Sequence, residues 1–298
     1  MGIFDFFRKK GLKKNDEKLT VARAEPIEEK RVPQPVKAEE IIKPEEVVAP
    51  EPIIIEEKPS ELDLLVAEEK ERLSKCIYDY VVIDFETTGL KSPLEAFIRG
   101  VKYDEVLSVS VIDQDGNVLA NELCKPKNRK TWAKAQEIHG ISPAMVKDKP
   151  PFEDIFPTVK EILLKSKIVL AYNIAFECGF LFGYDVLCDF VGGEKLREKM
   201  VWGSDPMLMY SGYKGVERWQ KLTAAARHFK FKFEAHDSLE DVKATLHCYK
   251  KMIEYINANE EKEYIYRYGF LYDIDVGIKG KWLDMNTLEI KDESLLKK

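Results

Sequence analysis

Two carboxylates stand two residues apart at the end of an apolar stretch. Asp84 and Glu86 follow the β-branched run at 80–83, and alternate side chains of a β-strand point to the same face of its sheet. Like charges side by side on a buried strand need a cation to neutralise them, and Mg²⁺ takes carboxylate oxygens. The pair therefore indicates a divalent-cation site. The alternative is a solvated strand end followed by an ordinary Thr-Thr-Gly turn.

Three ordered motifs extend this pair. Residues 84–90 read Asp-Phe-Glu-Thr-Thr-Gly-Leu, 172–177 read Tyr-Asn-Ile-Ala-Phe-Glu, and 236–241 read His-Asp-Ser-Leu-Glu-Asp. Together with Ile-His-Gly-Ile at 138–141, they resemble the DnaQ-like (DEDDh) 3′→5′ exonucleases, which include the proofreading epsilon subunit of bacterial DNA polymerase III. The resemblance covers about 78–258. Two positions depart from the family pattern, since Tyr172 replaces His and Glu177 replaces Asp.

The resemblance implies a two-metal phosphodiester hydrolysis with Mg²⁺ or Mn²⁺. Two divalent cations about 3.5–4 Å apart would clamp the attacking water and the leaving 3′ oxygen. Asp84 would bridge both ions, Glu86 and Asp241 would hold the ion that binds the water, and Glu177 would support the other ion, partly through water. His236 would accept a proton from the water, because histidine exchanges protons readily near neutral pH.

The same resemblance implies contacts with the last nucleotides of the substrate. The backbone at Thr87, Thr88 and Gly89 is expected to approach the terminal nucleotide, because a glycine has no side chain to block it. Leu90, His139 and Phe176 are expected to stack on or wedge the last bases, with core packing as the alternative for the leucine and the phenylalanine. Asn173 would hold the second-motif loop or bind a phosphate.

The implied function is a metal-dependent 3′→5′ exonuclease that releases nucleoside 5′-monophosphates from single-stranded 3′ ends, in proofreading or repair. DNA is the expected substrate and RNA trimming the second choice. The rival interpretation is a weakened or non-catalytic nucleic-acid- or polymerase-binding module. It rests on the extra methylene of Glu177, since a misplacement of about 1 Å can cost roughly 10²-fold in rate.

The elements that position these residues follow from hydrophobic periodicity. Strands are predicted at 80–83, 106–112, 118–124 and 168–171, and helices at 152–163, 174–187 and 239–256. This order predicts an α/β protein with a mixed sheet flanked by helices. The family resemblance implies the ribonuclease H-like exonuclease fold.

Charge and proline divide the chain into four parts. Residues 1–24 carry a net charge of +4 and residues 25–70 a net charge of −8, and seven of the fourteen prolines lie between Pro26 and Pro59. A core cannot form from such a composition, so 1–59 is predicted to be a disordered arm. A short helical lead-in follows at 60–75, then the exonuclease domain at 76–258 and a small appendage at 259–298.

The rest of the composition bears on location and partners. The five cysteines are scattered, and no stretch is long and apolar enough for a transmembrane helix, which favours a cytoplasmic protein. Residues 61–65, Glu-Leu-Asp-Leu-Leu, resemble the pentapeptide by which replication proteins dock on the bacterial sliding clamp. A DNA polymerase or sliding clamp is thus a candidate partner of the N-terminal arm.

Overall fold

The computed structural model describes residues 61–188, 205–216, 218–259, 281–284 and 289–292. The chain divides into two units, Met1–Lys58 and Pro59–Lys298, and every described residue belongs to the second unit. The predicted arm at 1–59 therefore lies outside the described residues.

The core of the second unit is a four-stranded sheet. Its strands are β1 (Tyr78–Thr87), β2 (Val106–Asp113), β3 (Val118–Leu123) and β4 (Ser166–Leu170), in the spatial order β3-β2-β1-β4. The first three pair antiparallel and β4 runs parallel to β1. The predicted mixed sheet flanked by helices is confirmed, because β-branched runs joined by a tight turn form the meander and a helix connects it back to β4.

Nine helices are described beside the sheet. In chain order they are α1 (Glu61–Ser74), α2 (Pro93–Arg99), α3 (Ala133–His139), α4 (Pro143–Val146), α5 (Phe152–Leu164), α6 (Ile174–Leu187), α7 (Pro206–Lys214), α8 (Leu222–His228) and α9 (Ser238–Ala258). None of these described helices is both long and apolar enough to cross a membrane.

Alternating side chains of β1 separate two hydrophobic clusters. Val81, Ile83 and Phe85 pack with buried side chains of α5 and α6. Val82 packs instead with buried side chains of α7, α8 and α9. By the same alternation Asp84 and Glu86 share the face of Val82, so the two acids point toward the side of the sheet that α9 covers.

A short helix that the periodicity does not predict, α2, packs closely against α6. A side-chain carbon at Gly183 would lie 2.4 Å from the backbone nitrogen of Leu94, and one at Gly179 would lie 2.6 Å from the hydroxyl of Ser92. Glycine is therefore required at both positions, because any side chain would push the two helices apart.

Two further elements flank the sheet domain in the chain. Helix α1 occupies most of the predicted lead-in, and the guanidinium of Arg72 near its end donates hydrogen bonds to the carbonyls of Ser166 (3.1 Å) and Lys167 (3.0 Å) in β4. The tail contains an antiparallel hairpin of β5 (Lys281–Asp284) and β6 (Glu289–Asp292).

Candidate active site

The first two acids lie near the carboxyl end of β1. Across the antiparallel ladder Asp84 is opposite Ser110 and Glu86 is opposite Ser108. Both acids are partly buried. Both acids belong to β1, a long strand rich in β-branched residues. Because alternate side chains of a strand point to the same face, both carboxylates lie on one face of the sheet.

The amino end of α9 is fixed to the same face of the sheet. The buried hydroxyl of Ser238 lies 2.7 Å from the hydroxyl of Ser108 and 2.8 Å from that of Ser110. The carboxylate of Asp237 caps the helix by accepting hydrogen bonds from the amides of Leu239 (3.0 Å) and Glu240 (3.2 Å). These contacts place the first turn of α9 directly over β1.

That first turn brings Asp241 and His236 to the acids of β1. The backbone amide of His236 donates to Asp241 Oδ2 at 3.1 Å, and His236 has the left-handed φ of 70°. One ligand atom each from Glu86, His236 and Asp241 lies within 4.8 Å of the other two. Residues far apart in the chain thus present two carboxylates and one imidazole to a single point.

Glu177 reaches the site from the first turn of α6. It is 2% exposed, and the backbone amide of Phe85 forms a hydrogen bond with its carboxylate. Its Oε2 is buried and has no hydrogen-bond partner among the described residues. An unpaired buried carboxylate oxygen is costly, so this oxygen marks a place where a ligand belongs.

Burial, together with the charges of neighbouring acids, raises the pKa values of all four acids. Burial, and then the charges of Glu177, Asp241 and Glu86, raise the pKa of Asp84 well above its usual range. Burial raises the pKa of Glu86 to about 8, with Asp241 contributing. Burial raises the pKa of Asp241 to about 7, opposed by the His236 amide, and burial followed by the charge of Glu86 raises that of Glu177.

Such a donor set fits divalent cations. Carboxylate oxygens that repel one another, with one oxygen left unpaired, are stabilised by a hard cation. The structure brings together the four acids that the sequence motifs single out, with His236 at their edge. They are Asp84, Glu86, Glu177 and Asp241.

Residues 81–249 match the family described as "RNase_T: Exonuclease". The chain belongs to this exonuclease family, and its motifs are those of the DnaQ-like group. The matched segment takes in all four acids and the histidine of the site.

The chain is also similar to individual exonucleases. It is 30% identical over 184 residues to "Uncharacterized exonuclease CP81" of Escherichia phage 186, covering 56% of this chain and 84% of the phage protein. It is 30% identical over 103 residues to DNA polymerase III subunit epsilon of Buchnera aphidicola subsp. Baizongia pistaciae, covering 34% of this chain and 40% of that subunit.

A much larger polymerase and a solved nuclease structure are also similar to part of the chain. The PolC-type DNA polymerase III of Thermotoga maritima is 31% identical over 105 residues, which is 34% of this chain and 7% of the polymerase. The structure of Exonuclease X in complex with 5′ overhanging duplex DNA superimposes with a TM-score of 0.42 and 22% identity, covering 61% of this chain and 93% of that one.

The turn after β1 packs closely against a neighbouring acid. A side-chain carbon at Gly89 would lie 2.5 Å from the Asp104 carboxylate. The glycine therefore leaves room for the Asp104 carboxylate, and its role in admitting a nucleotide stays a prediction. The Thr87 hydroxyl donates to the Gly89 carbonyl at 2.6 Å, and the Thr88 hydroxyl accepts from the Glu105 amide at 2.9 Å.

The remaining candidate substrate residues lie around this turn and the start of α6. Leu90 is 82% exposed, whereas Phe176 is partly buried and packs on Phe180 with ring centroids 5.0 Å apart. The Nδ1 atom of His139 accepts a hydrogen bond from the Ile141 amide. The ring proton is therefore on Nε2, which donates a hydrogen bond to the Thr87 carbonyl. Asn173 is exposed, with a left-handed φ of 70°.

Two supporting acids, Glu105 and Asp104, escape a reading of the motifs, whereas Asp205 and Tyr172 belong to motif segments. Glu105 accepts backbone amides from the loop at 127–129, and Asp104 pairs with Arg129 at 2.7 Å. The buried Asp205 accepts the amides that open both α6 and α7. Tyr172 donates its hydroxyl to the Gln220 carbonyl at 2.8 Å. The sequence signal that could have identified Asp104 and Glu105 is the pair of adjacent acids directly before the buried strand β2.

Proposed function

We propose that this domain is a divalent-cation-dependent 3′→5′ exonuclease that removes nucleotides one at a time from single-stranded DNA ends. The single observation that supports it most is the convergence of Glu86, Asp241 and His236 within 4.8 Å beside Asp84 and the unpaired oxygen of Glu177. No structural purpose is served by gathering like charges in this way, and the family performs nuclease chemistry.

The chain's own residues divide the task. Asp84, Glu86, Glu177 and Asp241 would hold two cations, Mg²⁺ or Mn²⁺, which supply Lewis-acid stabilisation of phosphate oxygens when bound. His236 accepts a proton from the attacking water. The water oxygen forms a bond to the terminal phosphorus while the bond to the 3′ oxygen breaks. The leaving 3′ oxygen takes up a proton from solvent, so the shortened strand ends in a 3′ hydroxyl and a nucleoside 5′-monophosphate is released.

Substrate positioning falls to the surface around the β1 turn. The exposed Leu90 offers an apolar contact to the last base. The Thr87 hydroxyl, which donates to the Gly89 carbonyl, and the Thr88 hydroxyl, which accepts from the Glu105 amide, hold the turn beneath it. A rigid turn lowers the ordering cost when the strand end binds.

The decisive experiment follows a single-stranded oligonucleotide during digestion. With a 5′ label we expect a ladder that shortens by single nucleotides, and with a 3′ label immediate release of a labelled mononucleotide. EDTA should stop both, and Mg²⁺ or Mn²⁺ should restore them. Asp84→Ala is the control for a contaminating nuclease. A wild-type protein that removes no nucleotide at high concentration would refute the proposal.

The same assay separates the alternatives. Matched DNA and RNA strands of one sequence test substrate choice, and we expect the DNA strand to be shortened faster. A non-catalytic binding module would retain the labelled strand in an anisotropy measurement and leave it intact with either metal. The buried fit of Glu177, with one oxygen bonded to the Phe85 amide, supports the enzyme.

A partner in replication is a separate part of the proposal. The similarity to epsilon subunits supports association with a DNA polymerase, and the pentapeptide at 61–65 supports docking on a sliding clamp. Deleting 60–66 should abolish capture of the protein on immobilised clamp, while digestion of a free oligonucleotide continues at the wild-type rate. Undiminished capture would exclude that pentapeptide as the docking site.

A further inference from the structure

The loop between α7 and α8 carries an exposed tryptophan that the site described above does not use. Trp219 is 51% exposed. Its neighbours Arg218 and Lys221 are also exposed, and Lys214 lies at the end of α7. Residues 214–221 carry three basic side chains and one acidic one. An aromatic ring among cations is the combination that binds single-stranded nucleic acid by stacking and charge.

The backbone on both sides of the tryptophan is held in place. The Arg218 carbonyl accepts hydrogen bonds from the buried Ser211 hydroxyl at 3.2 Å and from the Gln220 side-chain amide at 3.0 Å. The Gln220 carbonyl accepts the Tyr172 hydroxyl at 2.8 Å. A large apolar side chain is therefore presented to solvent from a fixed backbone, whereas a frayed loop would leave it without a defined position.

The tether joins this loop to the residues that open α6, the helix whose first turn carries Glu177. Tyr172 immediately precedes Asn173, the residue that opens α6, and Glu177 lies in the first turn of that helix. Asp205 joins the amides of Asn173 and Ile174 to the start of α7, the helix that leads into the loop. Tyr172 occupies one of the two positions where the chain departs from the family motif. The departure thus supplies the hydroxyl that fixes the loop.

We propose that Trp219, with Arg218 and Lys221, forms a stacking platform for the single strand upstream of the scissile end, and that Tyr172 positions it. The inference rests on the proposed nuclease function and adds a binding site to it. Stacking on a tryptophan face tolerates every base, so the platform grips a strand without selecting a sequence. It would act on strands long enough to leave the catalytic pocket and not on a single nucleotide unit.

Binding is tested with the full chain carrying Asp84→Asn to prevent digestion. Fluorescence anisotropy of a labelled oligothymidylate of about ten nucleotides, with Mg²⁺ present, gives the dissociation constant. Stacking of one base is worth about 1–3 kcal/mol, so we expect Trp219→Ala to weaken binding about 5- to 150-fold. Trp219→Phe should lose less. Val118→Ala, at a 50% exposed site on β3, is the matched control and should bind as the parent does.

Turnover of two substrates separates a platform from a structural role. In the wild-type background, Trp219→Ala should slow digestion of the oligonucleotide and leave hydrolysis of the p-nitrophenyl ester of thymidine 5′-monophosphate unchanged, because that ester cannot reach the loop. Tyr172→Phe keeps the ring and removes the tether, and should weaken oligonucleotide binding about 2- to 5-fold with the same ester rate.

The outcomes distinguish this inference from the proposed function. Equal binding by Trp219→Ala and its parent would overturn the platform, and so would an equal loss on the ester and on the oligonucleotide. If the wild-type protein hydrolyses neither substrate, the nuclease proposal fails, and the anisotropy comparison still decides whether Trp219 binds the strand.

Discussion

Two glutamates are almost equally hidden from solvent and are surrounded in opposite ways. Glu105 is 3% exposed, and its carboxylate accepts the amides of Lys127 (2.7 Å), Asn128 (2.9 Å) and Arg129 (2.8 Å). Glu177 is 2% exposed, has one oxygen without a partner and lies among other acids. A carboxylate that amides neutralise holds a loop, whereas one left with an open oxygen among like charges is prepared for a cation.

The largest expected effect comes from substituting an acid of the candidate cation site. Asp84→Asn should lower nuclease activity roughly 10³-fold, because several kcal/mol of metal-dependent stabilisation of the transition state is lost. It should also raise the melting temperature of the metal-free protein, since it removes repulsion. Asp79→Asn, at the exposed start of β1, is the control. A variant with full activity would contradict the assignment of Asp84.

Glu105→Gln tests the other side of the comparison. A glutamine cannot accept all of the loop amides without turning its own NH₂ toward one of them, so we expect a loss of about 2–3 kcal/mol in the free energy of unfolding. Urea denaturation should show the same loss with and without Mg²⁺. The exposed Glu122→Gln on β3 should be neutral. A loss that Mg²⁺ abolishes would mean that Glu105 also belongs to the cation site.

The pH dependence of stability follows from the raised pKa values. The folded pKa values of about 8 for Glu86 and about 7 for Asp241 exceed the ordinary values of 4.5 and 3.8. Between these limits the folded state binds more protons than the unfolded state, so stability falls as the pH rises.

Melting curves of the metal-free protein should show this fall. We expect the melting temperature to drop by on the order of 5 °C between pH 5 and pH 8. Saturating Mg²⁺ should remove most of the drop, because the cation stabilises the ionised carboxylates. A melting temperature that rises over the same range in EDTA would contradict the convergence of the acids.

The smallest expected effect comes from restoring the family residue. Glu177→Asp withdraws the carboxylate by one methylene, either from the Phe85 amide or from the cation site. We expect about a 3- to 10-fold loss of activity, measured with Mg²⁺ and Mn²⁺ at several concentrations. Wild-type activity in Cys178→Ser, one position along α6, would show that the helix tolerates small changes. A faster Glu177→Asp enzyme would show that glutamate impairs the site.

The sheet and its long helices are readable from periodicity because their signals are local. The β-branched run that becomes β1 and the apolar spacing of α9 each report on a single buried face. Helix α2 was not predicted, because it is one short segment whose Phe97 is 73% exposed. Its partner surface lies on α6, about ninety residues later in the chain.

The site was readable only through the order of its motifs. Nothing local to Asp84 indicates that Asp241 will lie beside it; the bonds between Ser238 and the serines of β2 bring α9 there. Two further contacts depend on how separate segments of the chain pack together, which the spacing of residues does not reveal. They are the close approach of Gly89 to Asp104 and the hydrogen bond from Tyr172 to Gln220.

Helices α2 and α6 pack closely together at Gly179 and Gly183. Because a side chain at Gly183 would clash with the α2 backbone, the two helices are in direct contact there, and we expect a shift of one to carry the other. Glu177 sits two residues before the first of these glycines, and the exposed Leu90 lies just ahead of α2. The tight packing therefore links the position of Glu177, the buried carboxylate of the candidate site, to the position of α2.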